Sequence, residues 1–276
     1  VGKDGIVYAG SWIGDSVQRF AADGSVSRAL RTGRGVKALA VAGDGTLYVG
    51  TNDYTIDVFN ADGTPRSPII LRKVQSGGLI QALAIGPNGS LYAAAANDLY
   101  GLDRNGKEEW RSLMQVPVDA VSVGANGDVY AGAGDTVHVF DRRGVRKNKY
   151  GVGTRPGVID AVSIVAVYAA RRDVVYVGTR NRVVYAVDVE RGLIKWTFRP
   201  KGTPFALLEG EDGVVYVGSY DGNVYALDPA AGRLRWRFST GQASWGENAV
   251  HALALANRSI LYAAVGQSVE AIDLGH

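Results

Sequence analysis

The chain has 276 residues, 46% of them hydrophobic, with 30 Lys and Arg against 27 Asp and Glu and no cysteine. Such a composition can bury a large core, and it excludes disulfide staples and cysteine-based metal or redox chemistry. A formal charge of +3 is too mild for a nucleic-acid footprint, no apolar run approaches the roughly 18 residues of a membrane span, and the N-terminal VGKDGIVYAG is neither a signal nor a transit peptide.

One syllable recurs along the chain: an aliphatic residue, a tyrosine and two small or aliphatic residues. It falls at Tyr8, Tyr48, Tyr92, Tyr130, Tyr176, Tyr216 and Tyr262, with gaps of 40, 44, 38, 46, 40 and 46 residues. A period of this length with several strands per unit predicts an all-β propeller, seven-bladed, each blade a four-stranded antiparallel sheet. The whole chain, 1–276, is then one domain with repeat units at approximately 1–35, 36–78, 79–117, 118–157, 158–202, 203–248 and 249–276.

In chain order, the first unit (DGIVYAGSWIGDSVQRFAADGSVSRALR) supplies strands b, c and d but no strand a. In the second, Lys37 to Val41 reads as strand a, Thr46 to Gly50 as b, Thr55 to Asn60 as c and Ser67 to Leu71 as d, with Gly, Asn and Asp at the turns. The third runs from Gln81, the fourth from Asp119, the fifth from Asp160 with a longer a–b hairpin, the sixth from near Phe205 and the seventh from His251, which stops after strand c. The missing pieces, one strand d and one strand a, predict residues ahead of Val1 that close the ring; an eighth blade outside this segment is the alternative.

Two units match a specific pattern, Ala186, Asp188, Gly192 and Trp196 in AVDVERGLIKW and Ala226, Asp228, Gly232 and Trp236 in ALDPAAGRLRW; Asp103, Gly106 and Trp110 in GLDRNGKEEW keep its order. This resembles the tryptophan-docking motif of pyrroloquinoline-quinone-like (PQQ-like) β-propellers, a repeat comparable in length to WD-type repeats, in which the Trp of one blade packs against its neighbour. In the fourth unit Tyr150 stands in for Trp, and the first two units have none. The chemistry agrees with the resemblance. Asp closes the c–d turn through its side-chain oxygen, Gly accepts a positive φ, and Trp sets a large rigid surface between sheets, so these residues are structural and the three tryptophans are expected to be mostly buried.

The resemblance implies the branch without dehydrogenase activity. Alcohol dehydrogenases of the family use adjacent cysteines above the quinone, and this chain has none, so no cofactor is expected. The implied relatives are protein- or ligand-binding scaffolds, among them the outer-membrane assembly lipoprotein of the Gram-negative envelope and the sensor domains of bacterial membrane kinases. They imply an extracytoplasmic location, periplasmic, secreted or cell-surface.

Within such a fold, the residues that begin each strand a ring the channel mouth: Lys37, Gln81, Asp119, Asp160, Phe205 and His251, each followed by Ala. Together they form the candidate ligand pocket. On the same face, Trp12, Tyr54 and Tyr220 in b–c turns, Trp245 in the d–a loop and Arg180 nearby form the candidate partner surface, since aromatics mixed with Arg favour interfaces. No catalytic constellation and no dedicated metal site is expected. The function read from the sequence is a non-enzymatic scaffold binding a protein partner or extracellular ligand. Its alternatives are a metal-dependent, lactonase-like hydrolase using the central pocket and an architectural subunit of a larger assembly.

Overall fold

Residues 204–239 display the repeat in its simplest form. Strands Pro204–Glu209, Val215–Ser219, Asn223–Leu227 and Leu234–Ser239, here called a, b, c and d, pair antiparallel in that order. Tight turns carry the reversals: Gly213 N–H donates to the Gly210 carbonyl, and Gly222 N–H to that of Ser219. Strands b and c are fully buried, whereas d is largely exposed, so each sheet is apolar at its middle and polar at its outer edge.

The computed structural model contains seven such sheets and no helix among the described residues, a seven-bladed β-propeller of small antiparallel sheets. It describes all residues except 3, 22, 72–78, 153–163, 171–173, 242–247, 257–258 and 276. Blades one and seven have three strands, b–c–d and a–b–c, as the truncated repeats predict, and the five between them have four. Two compact units make up the chain, Val1–Ala131 with Val139–Lys147, and Gly132–His138 with Asn148–His276.

Strand a of blades two to seven runs Val36–Val41, Ile80–Ile85, Val118–Val123, Ile164–Ala169, Pro204–Glu209 and Val250–Leu255. Its first residue locks each blade to the one before it. In the first unit, a methyl group added at Gly50 would lie 2.5 Å from Ile80 Cγ2, so only hydrogen at that strand-b position leaves room for the next blade's isoleucine. In the second unit Gly218 receives Val250 in the same way, at 2.6 Å from Cγ1. Backbone bonds repeat the join: Val36 N–H donates to the Ser11 carbonyl at 3.0 Å, Val118 N–H to that of Ala96 at 2.8 Å, and Ile164 N–H to that of Gly134 at 2.7 Å.

The core therefore lies in slabs between consecutive blades. One slab joins blades two and three through Tyr48, Ile56, Ile80, Leu91 and Tyr100, and another joins blades five and six through Tyr176, Val184, Trp196, Val215 and Tyr225. Fully burying one such Val or Ile contributes about 1.5–3 kcal/mol. A thin sheet thus gains its stability from its neighbours.

The docking motif closes the outer part of each slab. Asp103, Asp188 and Asp228 each accept two backbone N–H groups of their own c–d turn, as the sequence reading expects of them. Gly106 and Gly192 have positive φ in these turns, like Gly232. Trp110 Nε1 donates to the Arg142 carbonyl at 2.9 Å in the next blade's turn, and Trp196 Nε1 to the Pro229 carbonyl at 2.9 Å. Tyr150 acts in their place in blade four, its hydroxyl donating to the Val189 carbonyl while its ring lies on Gly192.

The first two blades solve the problem differently. Ile69 fills the space over Gly106, and in blade one Leu30 lies over Gly63 while the Arg19 guanidinium donates to the Ala61 and Asp62 carbonyls. Burial of the tryptophans differs from the expectation in part. Trp196 is buried at 7% exposure, but Trp110 and Trp236 are half-buried. Inside the blade each leans on the recurring tyrosine of strand b, Tyr92 on Trp110 at 5.9 Å, Tyr176 on Trp196 at 5.5 Å and Tyr216 on Trp236 at 5.8 Å between ring centres.

Candidate functional site

The residue that follows the locking position in strand a is the extra one in a β-bulge. In blade two the register passes from Val36 opposite Thr51 to Ala38 opposite Gly50, leaving Lys37 unmatched; Gln81, Phe205 and His251 occupy the same place in blades three, six and seven. Asp119 stands at that position of blade four, between buried Val118 and Ala120. A bulge bends its strand and re-aims the extra side chain, which explains why a polar or aromatic residue is tolerated between two buried ones.

In blade five the sequence reading sets the strand start four residues early. Strand a begins at Ile164, the bulge falls between Ile164 and Ala166, and the column position belongs to Val165. Asp160 lies outside the described residues, as does Trp245.

Two groups of these residues come together, one in each compact unit. In the first, the Lys37 ammonium lies 4.5 Å from the centre of the Trp12 ring, and Trp12 is 49% exposed beside Ile13, which is 93% exposed. Behind them Arg34 pairs with Asp53, whose Oδ1 also accepts the Thr51 hydroxyl at 2.7 Å. Asp57 completes the group; burial pushes its carboxyl above the usual carboxylate range, and Arg34 opposes that shift.

In the second unit, Phe205 stacks on His251 with ring centres 5.5 Å apart and planes 26° apart, and meets Tyr220 edge-on at 5.9 Å. Arg180 is exposed, and its carbonyl accepts the Thr203 hydroxyl at 3.4 Å. Gln81 and Asp119 are half-buried.

Tyr54 corrects the sequence reading. It is 4% exposed, sits at φ +65° in its turn and belongs to the slab between blades two and three, so it packs rather than presents a surface. Sequence reasoning also passes over Ile13, because a single aliphatic residue in the turn SWIGD carries no periodic signal. It misses a cleft of about 330 Å³ as well, lined by Asn88, Glu109, Trp110, Arg142 and Arg143. The run of cations after Asp141 was the available sign of that cleft.

Among the described residues no group of three or more His, Cys, Asp or Glu is placed to hold a metal ion. What the two groups offer is aromatic and aliphatic surface bordered by single charges. Such a surface is chemistry for recognition.

Comparison with known proteins agrees with the repeat reading. Residues 161–274 match the family model described as outer membrane protein assembly factor BamB. No curated protein matches the chain. Among solved structures, a chain of the mitotic checkpoint complex superposes with a TM-score of 0.82 at 14% identity, over 99% of this chain and 85% of that one. The computationally designed Ika8 protein superposes with a TM-score of 0.71 at 20% identity, over 98% and 81%. At these identities the two structures share the fold with this chain. No helix among the described residues is long and apolar enough to cross a membrane.

Proposed function

Because residues 161–274 are PQQ-like propeller repeats of the BamB type, we propose that the chain is a non-enzymatic scaffold that binds a protein partner through the loops beside its strand-a starts, in an extracytoplasmic compartment. The observation that carries this reading is the pair Trp12 and Ile13, exposed to 49% and 93% in one short turn and flanked by Lys37. Large apolar side chains held at the tip of a rigid hairpin are poor choices for a surface meeting only water, and aromatic anchors ringed by charge are typical of binding hot spots. The Phe205, Tyr220 and His251 group supplies a second anchor of the same chemistry in the other unit.

The test compares partners captured from native envelope extracts by the unaltered chain, by Trp12→Ala with Ile13→Ser, and by Phe205→Ala with Tyr220→Ala. Each variant is first checked for an unchanged thermal transition. Specific partners are expected to be lost from at least one variant. An identical set captured by all three would overturn the reading.

A further inference from the structure

The charge of this chain is concentrated. Between Asp141 and Lys149 the sequence DRRGVRKNK holds five cations against one carboxylate, an excess greater than the net +3 of the whole chain. Asp141 is engaged within its own turn, its Oδ1 accepting the Arg143 and Val145 N–H groups at 2.9 Å. Lys147 is neutralised by Asp128 at 2.6 Å, and Arg146 lies with its guanidinium carbon 5.6 Å from the centre of the Phe140 ring. Arg142 and Arg143 are exposed, and among the described residues neither guanidinium has a hydrogen-bonding or ionic partner.

These two arginines form one wall of the cleft of about 330 Å³, facing Asn88, Glu109 and Trp110. The indole is wedged between Gly101 of its own sheet and Gly144 of the next turn: a methyl group added at either would come within 2.2 Å or 2.5 Å of ring carbons. Trp110 therefore offers the cleft its edge, and the wall it forms is rigid.

We propose that this cleft and the adjoining Arg146 take an acidic, extended segment of a partner protein, with one carboxylate held between Arg142 and Arg143 and the next set against Arg146. The volume is at the low end for ligand sites, enough for one or two side chains and too small for a large cofactor. Glu109 in the wall, and Lys147 already paired, leave too few free cations to follow the closely spaced phosphates of a nucleic acid. A peptide with carboxylates set apart along an extended backbone fits the spacing better. The cleft is built from the a–b turn and the first residues of strand d of blade three and from the c–d turn of blade four, at the opposite end of the strands from Lys37, so it is a second surface that does not depend on the Trp12 reading.

Fluorescence anisotropy tests the proposal with a labelled peptide of alternating Glu and Ser at low ionic strength. Saturable binding is expected, weakened roughly tenfold in R142S/R143S and strengthened roughly twofold in E109Q. It should be unchanged in W12A/I13S and in R233S/R237S, which removes two cations from blade six. Equal affinity for the unaltered chain and R142S/R143S, with circular dichroism showing both folded, would overturn it. So would a single-stranded oligonucleotide or anionic phospholipid vesicles binding more tightly than the peptide and losing that binding in R142S/R143S.

Discussion

At the scale of single residues, most polar side chains in the slabs are satisfied locally, and Asp98 is an exception. It opens strand c of blade three, where blades two and six have Thr55 and Asn223. Its side chain is 2% exposed, the Arg111 guanidinium approaches only to 4.0 Å, and Oδ1 has no hydrogen-bond donor. Burial pushes the carboxyl above the usual range, with Arg111 and a hydrogen bond with the Tyr100 side chain opposing the shift and Glu108 adding to it. A raised carboxyl pKa means that the folded chain holds the proton more tightly than the unfolded chain does. The contribution is favourable below the unfolded value and is lost as pH rises through the folded one. Asp98→Asn removes the buried charge and keeps the shape, and should therefore raise the stability at neutral pH by about 1 kcal/mol, the lower end of the desolvation penalty of a buried group. The gain should vanish below about pH 4, where both states carry the proton. Denaturant titrations of both proteins at neutral and acid pH measure the difference; an equal gain at both pH values would refute the account.

At the scale of the strand and turn, the interlock between blades decides what the sequence reveals. The Asp, Gly and Trp of the docking motif are legible because each has a chemistry few other residues supply. Arg19 with Leu30 is not legible, because it divides between two side chains on different strands the hydrogen bond and apolar surface that one indole provides. The blade-five start is misread for a related reason. VIDAVSIVAVYAA contains two candidate steps into alanine, at Asp160 and at Val165, and pairing of Ala166 with Gly178 selects the second. Strand d of blade two shrinks to Ile69–Ile70 because Pro65 and Pro68 remove ladder donors just ahead of it. The interlock itself is testable at Gly232, which has φ +66° and would place a methyl group 2.5 Å from Trp196 Cε3. Gly232→Ala should cost about 2–4 kcal/mol, combining the left-handed backbone penalty with overpacking against a side chain that has no room to retreat. Thermal unfolding gives the value, and a loss under about 0.5 kcal/mol, the range of ordinary surface substitutions, would show that the turn does not bear on its neighbour.

At the scale of the whole molecule, the repeat that places one tyrosine in each strand b also sets the response to alkali. Several of the 14 tyrosines have hydroxyls pushed above their ordinary value, in each of these chiefly by burial. They include Tyr48, Tyr92 and Tyr100 in the first unit, and Tyr216 and Tyr225, each raised to about 12, in the second. A phenol whose folded pKa exceeds its unfolded value near 10 stabilises the fold fully below that value and loses its contribution as pH rises toward the folded one. Because the slabs are repeated and share their walls, these losses add between about pH 10 and 12 in both units. The expected result is a step in tyrosinate absorbance in that window that coincides with loss of the β-sheet circular dichroism signal. Smooth ionisation of all the tyrosines near pH 10 with the sheet signal intact would mean that their hydroxyls reach water, and that the slabs between blades are not the sealed apolar layers on which the stability of these thin sheets rests.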